Sequence, residues 1–253
     1  MNKSAVLLLI VCGVFAGTAG KASAQGATWA DRGYVNLGWG VESGSSAITG
    51  TQTGSIYEET ATITSSSEFS SGSFFDMGVG VRIWRNLTVG AGYHQEQNDT
   101  EAHLTGSIPS PIFFNRPRTL DQTEALERKE KAAHLMIGWV FPINEKIDVM
   151  AYGGPSFFRL EHDTLSRVVP VENSTNFSTV AADVDKITQK KSATGFNVGV
   201  DATYIVWQND SVRLGAGGFL RFTQADFNID MLGTPQSTTA GGMQFGFGGR
   251  LRF

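Results

Sequence analysis

Eleven side chains able to move protons, neutralise charge or ligate metal recur on one phase of an alternating pattern in this 253-residue sequence. They are Glu42, Asp76, Arg82, His94, Glu96, His134, Asp201, Arg213, Arg221, Arg250 and Arg252. Histidines near a carboxylate, as His94 is near Glu96, are ingredients of acid/base catalysis. Nothing else needed for it accompanies them: there is no His-x-Ser on a strand, no G-x-S-x-G and no clustered Asp/His pair. The histidines read better as interior polar residues with satisfied hydrogen bonds. His103 and His162 fall in segments expected to be loops, without a metal-ligand partner at useful spacing. The glycine-rich runs open no helix, as a phosphate loop must. No catalytic residue, cofactor or metal site is expected.

The elements that carry these residues alternate with period two. In the closing stretch Met243, Phe245, Phe247, Leu251 and Phe253 share one face, and Gln244, Gly246, Gly248, Arg250 and Arg252 share the other. Seven earlier segments repeat this alternation: Gly33 to Glu42, Phe74 to Trp84, Leu87 to Glu96, Ala132 to Phe141, Ile147 to Phe158, Gly195 to Val206 and Val212 to Phe222. In the fifth, Gly153-Gly154-Pro155 interrupts the phase; a bulge is expected there, and whether Phe157 or Phe158 faces outward stays open.

Eight strands alternate with short turns, such as Arg85-Asn86, and with long polar segments near 43–72, 97–130, 162–191 and 224–240. A two-sheet sandwich mixes loop lengths at both ends, whereas an up-and-down barrel inserted from one side keeps one set of turns short. The expected fold is all-β, an eight-stranded antiparallel up-and-down transmembrane β-barrel spanning 33–253. Its lumen is about wide enough for side chains to fill. Five arginines and four acids there must pair, since breaking a buried pair costs roughly 3–5 kcal/mol. An ion-paired plug is the expectation, and a narrow path for water or ions through gaps left by glycines is the alternative.

The start of the chain has the layout of a secretory signal over 1–24: Lys3, an apolar run from Ala5 to Phe15, then Ala22-Ser23-Ala24, with cleavage expected after Ala24 and a short segment 25–32 before the barrel. The apolar run is shorter than the roughly 20 residues of a spanning helix. Cys12 is the only cysteine, so the exported chain has neither disulfides nor thiolate metal sites. Its charge, −4 for the whole sequence and −6 once Lys3 and Lys21 are removed, argues against nucleic acid as a partner.

Signal, eight amphipathic strands, turn and loop alternation and the terminal Phe253 together resemble the small outer-membrane β-barrel family of the OmpA transmembrane domain, OmpX and the opacity-type surface proteins. The resemblance implies a Gram-negative outer-membrane location, contact with lipid and lipopolysaccharide, a monomer, and Phe253 as the signal read by the barrel-assembly machinery. It implies a non-enzymatic surface protein serving envelope integrity or adhesion through its outer loops, with possible host or surface ligands. A small porin-like channel of the OmpW type is the alternative, and a lipid-modifying enzyme ranks last. The family's peptidoglycan-binding domain has no counterpart after Phe253, so cell-wall tethering does not carry over.

Overall fold

The computed structural model describes residues 29–44, 46–69, 72–172, 177 and 179–253. The expected signal and its cleavage site lie outside them. The described chain is built from β1 (Gly33–Ser43), β2 (Ser46–Ile56), β3 (Glu59–Phe69), β4 (Ser73–Trp84), β5 (Leu87–Ile108), β6 (Arg118–Pro142), β7 (Ile147–Glu172), β8 (Val180–Gln208), β9 (Arg213–Met231), β10 (Thr234–Ala240) and β11 (Met243–Arg252). Eight of these close a ring of antiparallel ladders in the order β1, β4, β5, β6, β7, β8, β9, β11 and back to β1. Closure leaves neither sheet edge of the ring open. At the seam, Gly33 and Phe253 exchange backbone hydrogen bonds of 2.8 and 3.1 Å.

The turns at one end are short because side chains cap them. Asn144 Oδ1 accepts from the N–H groups of Lys146 and Ile147, both at 2.8 Å, and Asn209 Oδ1 does the same for Ser211 and Val212 at 2.9 and 2.7 Å. These are Asx turns, in which a short amide supplies the acceptor that the reversing backbone lacks. Two ring glycines have a steric role. A Cβ at Gly80 or Gly90 would stand 2.5 or 2.6 Å from Tyr34, so their lack of a side chain makes room for that ring inside the barrel.

The four long segments expected as loops are largely strand. β2 and β3 form a hairpin turning at Tyr57 and Glu58, both with positive φ. β5 and β6 pair without a break from Leu87 opposite Trp139 to Ile108 opposite Arg118. β7 pairs with β8 as far as Glu172 opposite Val180, and β10 folds back on β9 through Leu232-Gly233. Serine and threonine on a water-facing sheet look like loop composition, yet threonine suits a half-buried pleat.

Along these strands the polarity of the two faces reverses. On β5 the outward residues Val89, Ala91 and Tyr93 give way to Gln95, Gln97, Asp99 and Glu101; the inward ones pass from His94 and Glu96 to Ala102, Leu104 and Ile108. On β9 the outward series runs Leu214, Leu220, Phe222, then Gln224, Asp226, Asn228; the inward series runs Arg213, Arg221, then Phe227, Ile229, Met231. The phase is constant and the composition inverts. One half therefore suits hydrocarbon outside and polar groups inside, and the other half suits water outside over a packed apolar interior. The apolar outer face of β8 runs from Phe196 to Val206. That is about 33 Å of strand, which at the roughly 40° tilt of such barrels stands about 25 Å tall.

In the water-bathed half, Ile48, Ile63, Leu104, Ile108, Leu120, Leu126, Leu165, Ile229 and Met231 form one buried cluster. β7 resolves the open phase: Phe157 is 49% exposed and Phe158 2%. Its ladder with β8 runs unbroken through Gly153-Gly154-Pro155, so the bulge expected there is absent; the register shifts between Leu165 and Arg167 instead. Pro155 is accommodated without a bulge at a position facing outward.

Leu104→Ala should destabilise the water-bathed half by about 2–5 kcal/mol, the usual cost of emptying a tight aliphatic site. The check is faster cleavage by added protease while heat-modifiable migration of the barrel on a detergent gel persists.

Candidate functional site in the barrel lumen

The side chains that β1, β4 to β9 and β11 turn inward form stacked polar layers. At the short-turn end the segment before β1 enters the lumen: Trp29 is buried, its backbone N–H donates to Asn86 Oδ1 at 2.9 Å, and the Arg82 guanidinium donates to its carbonyl. Asp31 accepts from Arg213, with Nε 2.9 Å away. Arg82 and Arg213 therefore secure this entering segment at the mouth instead of sitting in the middle of the lumen.

Above them Arg252 donates to Thr203 Oγ1 at 2.5 Å and Asn36 Oδ1 at 2.6 Å, with Asp148 Oδ1 at 3.5 Å. Arg250 grips Asp201 with Nε and Nη2 at 3.0 and 2.6 Å from Oδ2. Arg221 reaches Asp76 Oδ1 at 2.6 Å and Gln244 Oε1 at 2.5 Å, and packs over the Phe219 ring at 5.2 Å. Gln244 in turn donates to Glu42 Oε2 at 2.5 Å. Glu42, expected to face an arginine, is thus met by an amide. Planar guanidinium groups suit such sites because their fixed fork matches carboxylates. A cavity of about 20 Å³ lies among Tyr34, Asp76, Asp201, Arg221 and Arg250, room for about one water molecule.

The next layer holds both inward histidines. His94 Nδ1 and His134 Nε2 are 2.9 Å apart with the rings stacked, His134 Nδ1 is 2.7 Å from Ser156 Oγ, and Asn197 Nδ2 donates to the same oxygen at 2.9 Å. A serine bonded to an imidazole has the chemistry of an activated nucleophile. Here Ser156 Oγ is enclosed on the lumen side, with no exposed surface. Beyond lie Glu96, hydrogen-bonded by Asn98, and Glu130, which Arg128 contacts at 3.0 Å. Glu42, His94 and Glu130 are the residues here that could hold a metal ion, their ligand atoms all lying within 4.8 Å of one another.

Alternation put Asp148, Asn197 and Gln244 on the inward phase without marking them as site residues, and it missed Ser156 and Glu130. Glu130 sits inside the 124–131 charge cluster, which looked like loop; its even-numbered phase with His134 was the available signal. His162, placed in a loop from the sequence, is buried on β7, whereas His103 faces outward near Thr123 Oγ1 at 3.3 Å. Burial, and then the Arg128 charge, push the His162 imidazole down to about 4. In the same water-bathed half, hydrogen bonds from Arg118 and Lys186 hold the carboxyls of Glu172 and Glu124 below their ordinary values.

A closed ring of eight strands, apolar outside and ion-paired inside over a height of about 25 Å, defines a small outer-membrane β-barrel. No known protein family and no curated protein matches the chain. Among solved structures it is similar to Ail, the attachment invasion locus protein of Yersinia pestis, at 10% identity and a TM-score of 0.39, covering 88% of this chain and 99% of that one. It is also similar to Neisserial surface protein A, at 14% identity and 0.38, covering 87% and 97%, and to the outer membrane protease OmpT from Escherichia coli, at 9% and 0.42, covering 92% and 99%. The assignment of class rests on the strand ladder and the polarity of its faces, not on these likenesses.

Arg250→Ala should cost roughly 1–3 kcal/mol, because Asp201 keeps only Arg252 at 3.6 Å and Thr203 Oγ1 at 3.2 Å, and adding Asp201→Ala should recover part of that loss. Urea unfolding in detergent micelles measures both. For His162, the unfolded chain takes up a proton near its ordinary value of about 6.5 and the folded chain only near 4. Its contribution is present above pH 6.5 and is lost as the pH falls from 6.5 to 4, by up to about 3 kcal/mol. His162→Gln should flatten the acid loss of protease resistance in the water-bathed half across that window.

Proposed function

We propose that this chain is a sealed, non-enzymatic surface barrel of the bacterial outer membrane, serving adhesion or envelope cohesion through its extracellular β-structure. One observation carries the reading: the ion-paired lumen is continued outward by a packed apolar interior, so the inside of the barrel is filled along its length. Filling favours a sealed body over the channel alternative. What the protein offers its surroundings is then its outer surface, and binding surfaces on rigid scaffolds commonly serve recognition.

In this reading the apolar band sits in lipid and lipopolysaccharide, β11 and Phe253 carry the signal for barrel assembly, and the chain works as a monomer. The extracellular surface is a charged and hydroxylated sheet ending in an apex, where Ile112, Phe113 and Phe114 are exposed and Arg116 stacks over Phe113 at 5.9 Å. Exposed aromatics beside arginine are a composition common in binding hot spots. The apex is where a host or surface ligand would engage.

The test is conductance in planar bilayers together with adhesion of cells displaying the protein. The purified barrel should give no reproducible channels, and replacing Phe113 and Phe114 with serine should lower attachment to cultured cells without changing surface level. Steady single-channel conductance by the wild type would overturn the sealed reading in favour of a channel.

A further inference from the structure

Where the polar lumen gives way to the apolar interior above it, the chain buries three carboxylates together. Glu42, Glu96 and Glu130 are 7%, 7% and 2% exposed. One guanidinium stands with them, Arg128 Nη2 at 3.0 Å from Glu130 Oε2, so ionising all three carboxyls would leave two negative charges in excess. Buried charge of this kind is costly unless countered. Into the same space points His94 Nε2, on a side chain with no exposed surface. It is 3.6 Å from Glu130 Oε1, too long for a hydrogen bond. Among the described residues His94 Nε2, Glu130 Oε1 and Glu96 Oε2 have no hydrogen-bond partner.

We propose that Glu42, His94 and Glu130 bind a divalent transition-metal cation, Zn²⁺ by preference, at the outer end of the lumen. The excess charge matches a dication. An imidazole among the donors selects zinc over magnesium and calcium, which take oxygen ligands. Three protein ligands leave a fourth position, which a water fills. Bonds of about 2.0–2.2 Å require ligand atoms roughly 3.3–3.6 Å apart, so spacings within 4.8 Å close by small side-chain rotations.

The neighbours of His94 suit this role. With the ion on Nε2, the imidazole proton sits on Nδ1 and donates to His134 Nε2, whose own Nδ1–H donates to Ser156 Oγ. A ligating histidine held in its tautomer by a partner on the far nitrogen is the usual support for such a site.

The test uses the full barrel folded in detergent micelles, stripped with chelator and titrated with ZnCl₂ by calorimetry. One Zn²⁺ per chain should bind, undisturbed by excess MgCl₂ or CaCl₂. Glu130→Gln and His94→Gln should each weaken binding by more than about tenfold, and His134→Phe, which acts only by positioning His94, by roughly 10–100-fold. Outward Glu101→Gln should change nothing. Co²⁺ in the wild-type barrel, which needs no variant to fold, should give the visible absorption of a low-coordinate site. Folded wild type that takes up no Zn²⁺ and gives no such Co²⁺ spectrum, equal uptake by Glu130→Gln and His94→Gln, or displacement by Mg²⁺ would each overturn the proposal.

Discussion

A β-strand has two faces, and the ring strands of this chain pass through two solvents. Because successive side chains point to opposite sides, a strand cannot rotate to suit a new environment without breaking its ladder. The sequence must therefore exchange the character of its faces at the boundary, and β5 and β9 do so within a few residues of Tyr93 and Phe222. The layered lumen and the apolar cluster above it both follow from that exchange. So does the position of the buried carboxylates, which occupy the level where neither a fully polar nor a fully apolar interior is yet established.

Within the hydrocarbon-facing half, ion pairs share the interior with a small buried cluster of Tyr34, Met136, Val140, Met150 and Tyr152. Arg221, Arg250 and Arg252 each span the interior to an acid on a different strand, so the pairs brace the wall from inside. Each pair contributes less as net stability than as a penalty against losing one partner. Above the boundary the wall is held by dispersion and hydrophobic burial, as in any soluble core. The two halves accordingly respond to different perturbations: ion-pair truncation below, cavity formation and acid above.

The ring itself was legible in the sequence because its alternation is strict: Phe196, Val198, Val200, Ala202 and Tyr204 leave no other period available. The inward arginines were legible for the same reason. The strand-built extensions were not, because their outward positions carry serine, threonine and charge while their inward positions are sparse aliphatics. Ala102, Leu104 and Ile108 on β5 look unremarkable until Ile48 and Ile63 of the β2–β3 hairpin and Ile229 of β9 join them in one cluster. Local composition cannot distinguish a loop from a sheet whose apolar partner comes from another hairpin. Pairings across strands were hidden too. That Glu42 meets Gln244 while Glu130 approaches His94 depends on ladder register, which alternation leaves undetermined.

The uninterrupted pairing of β5 with β6 gives the molecule a mechanical character. All 22 residues of β5 have a partner on β6, from beside the short turns to the outermost hairpin. The hydrogen bonds lie across the strands and hold the two arms in register over the whole length, so the hairpin behaves as one stiff unit. A pull on the apex is carried down as a beam carries load, into a wall anchored by internal ion pairs. With no break in that pairing to act as a hinge, the outermost hairpin moves with the wall as one body.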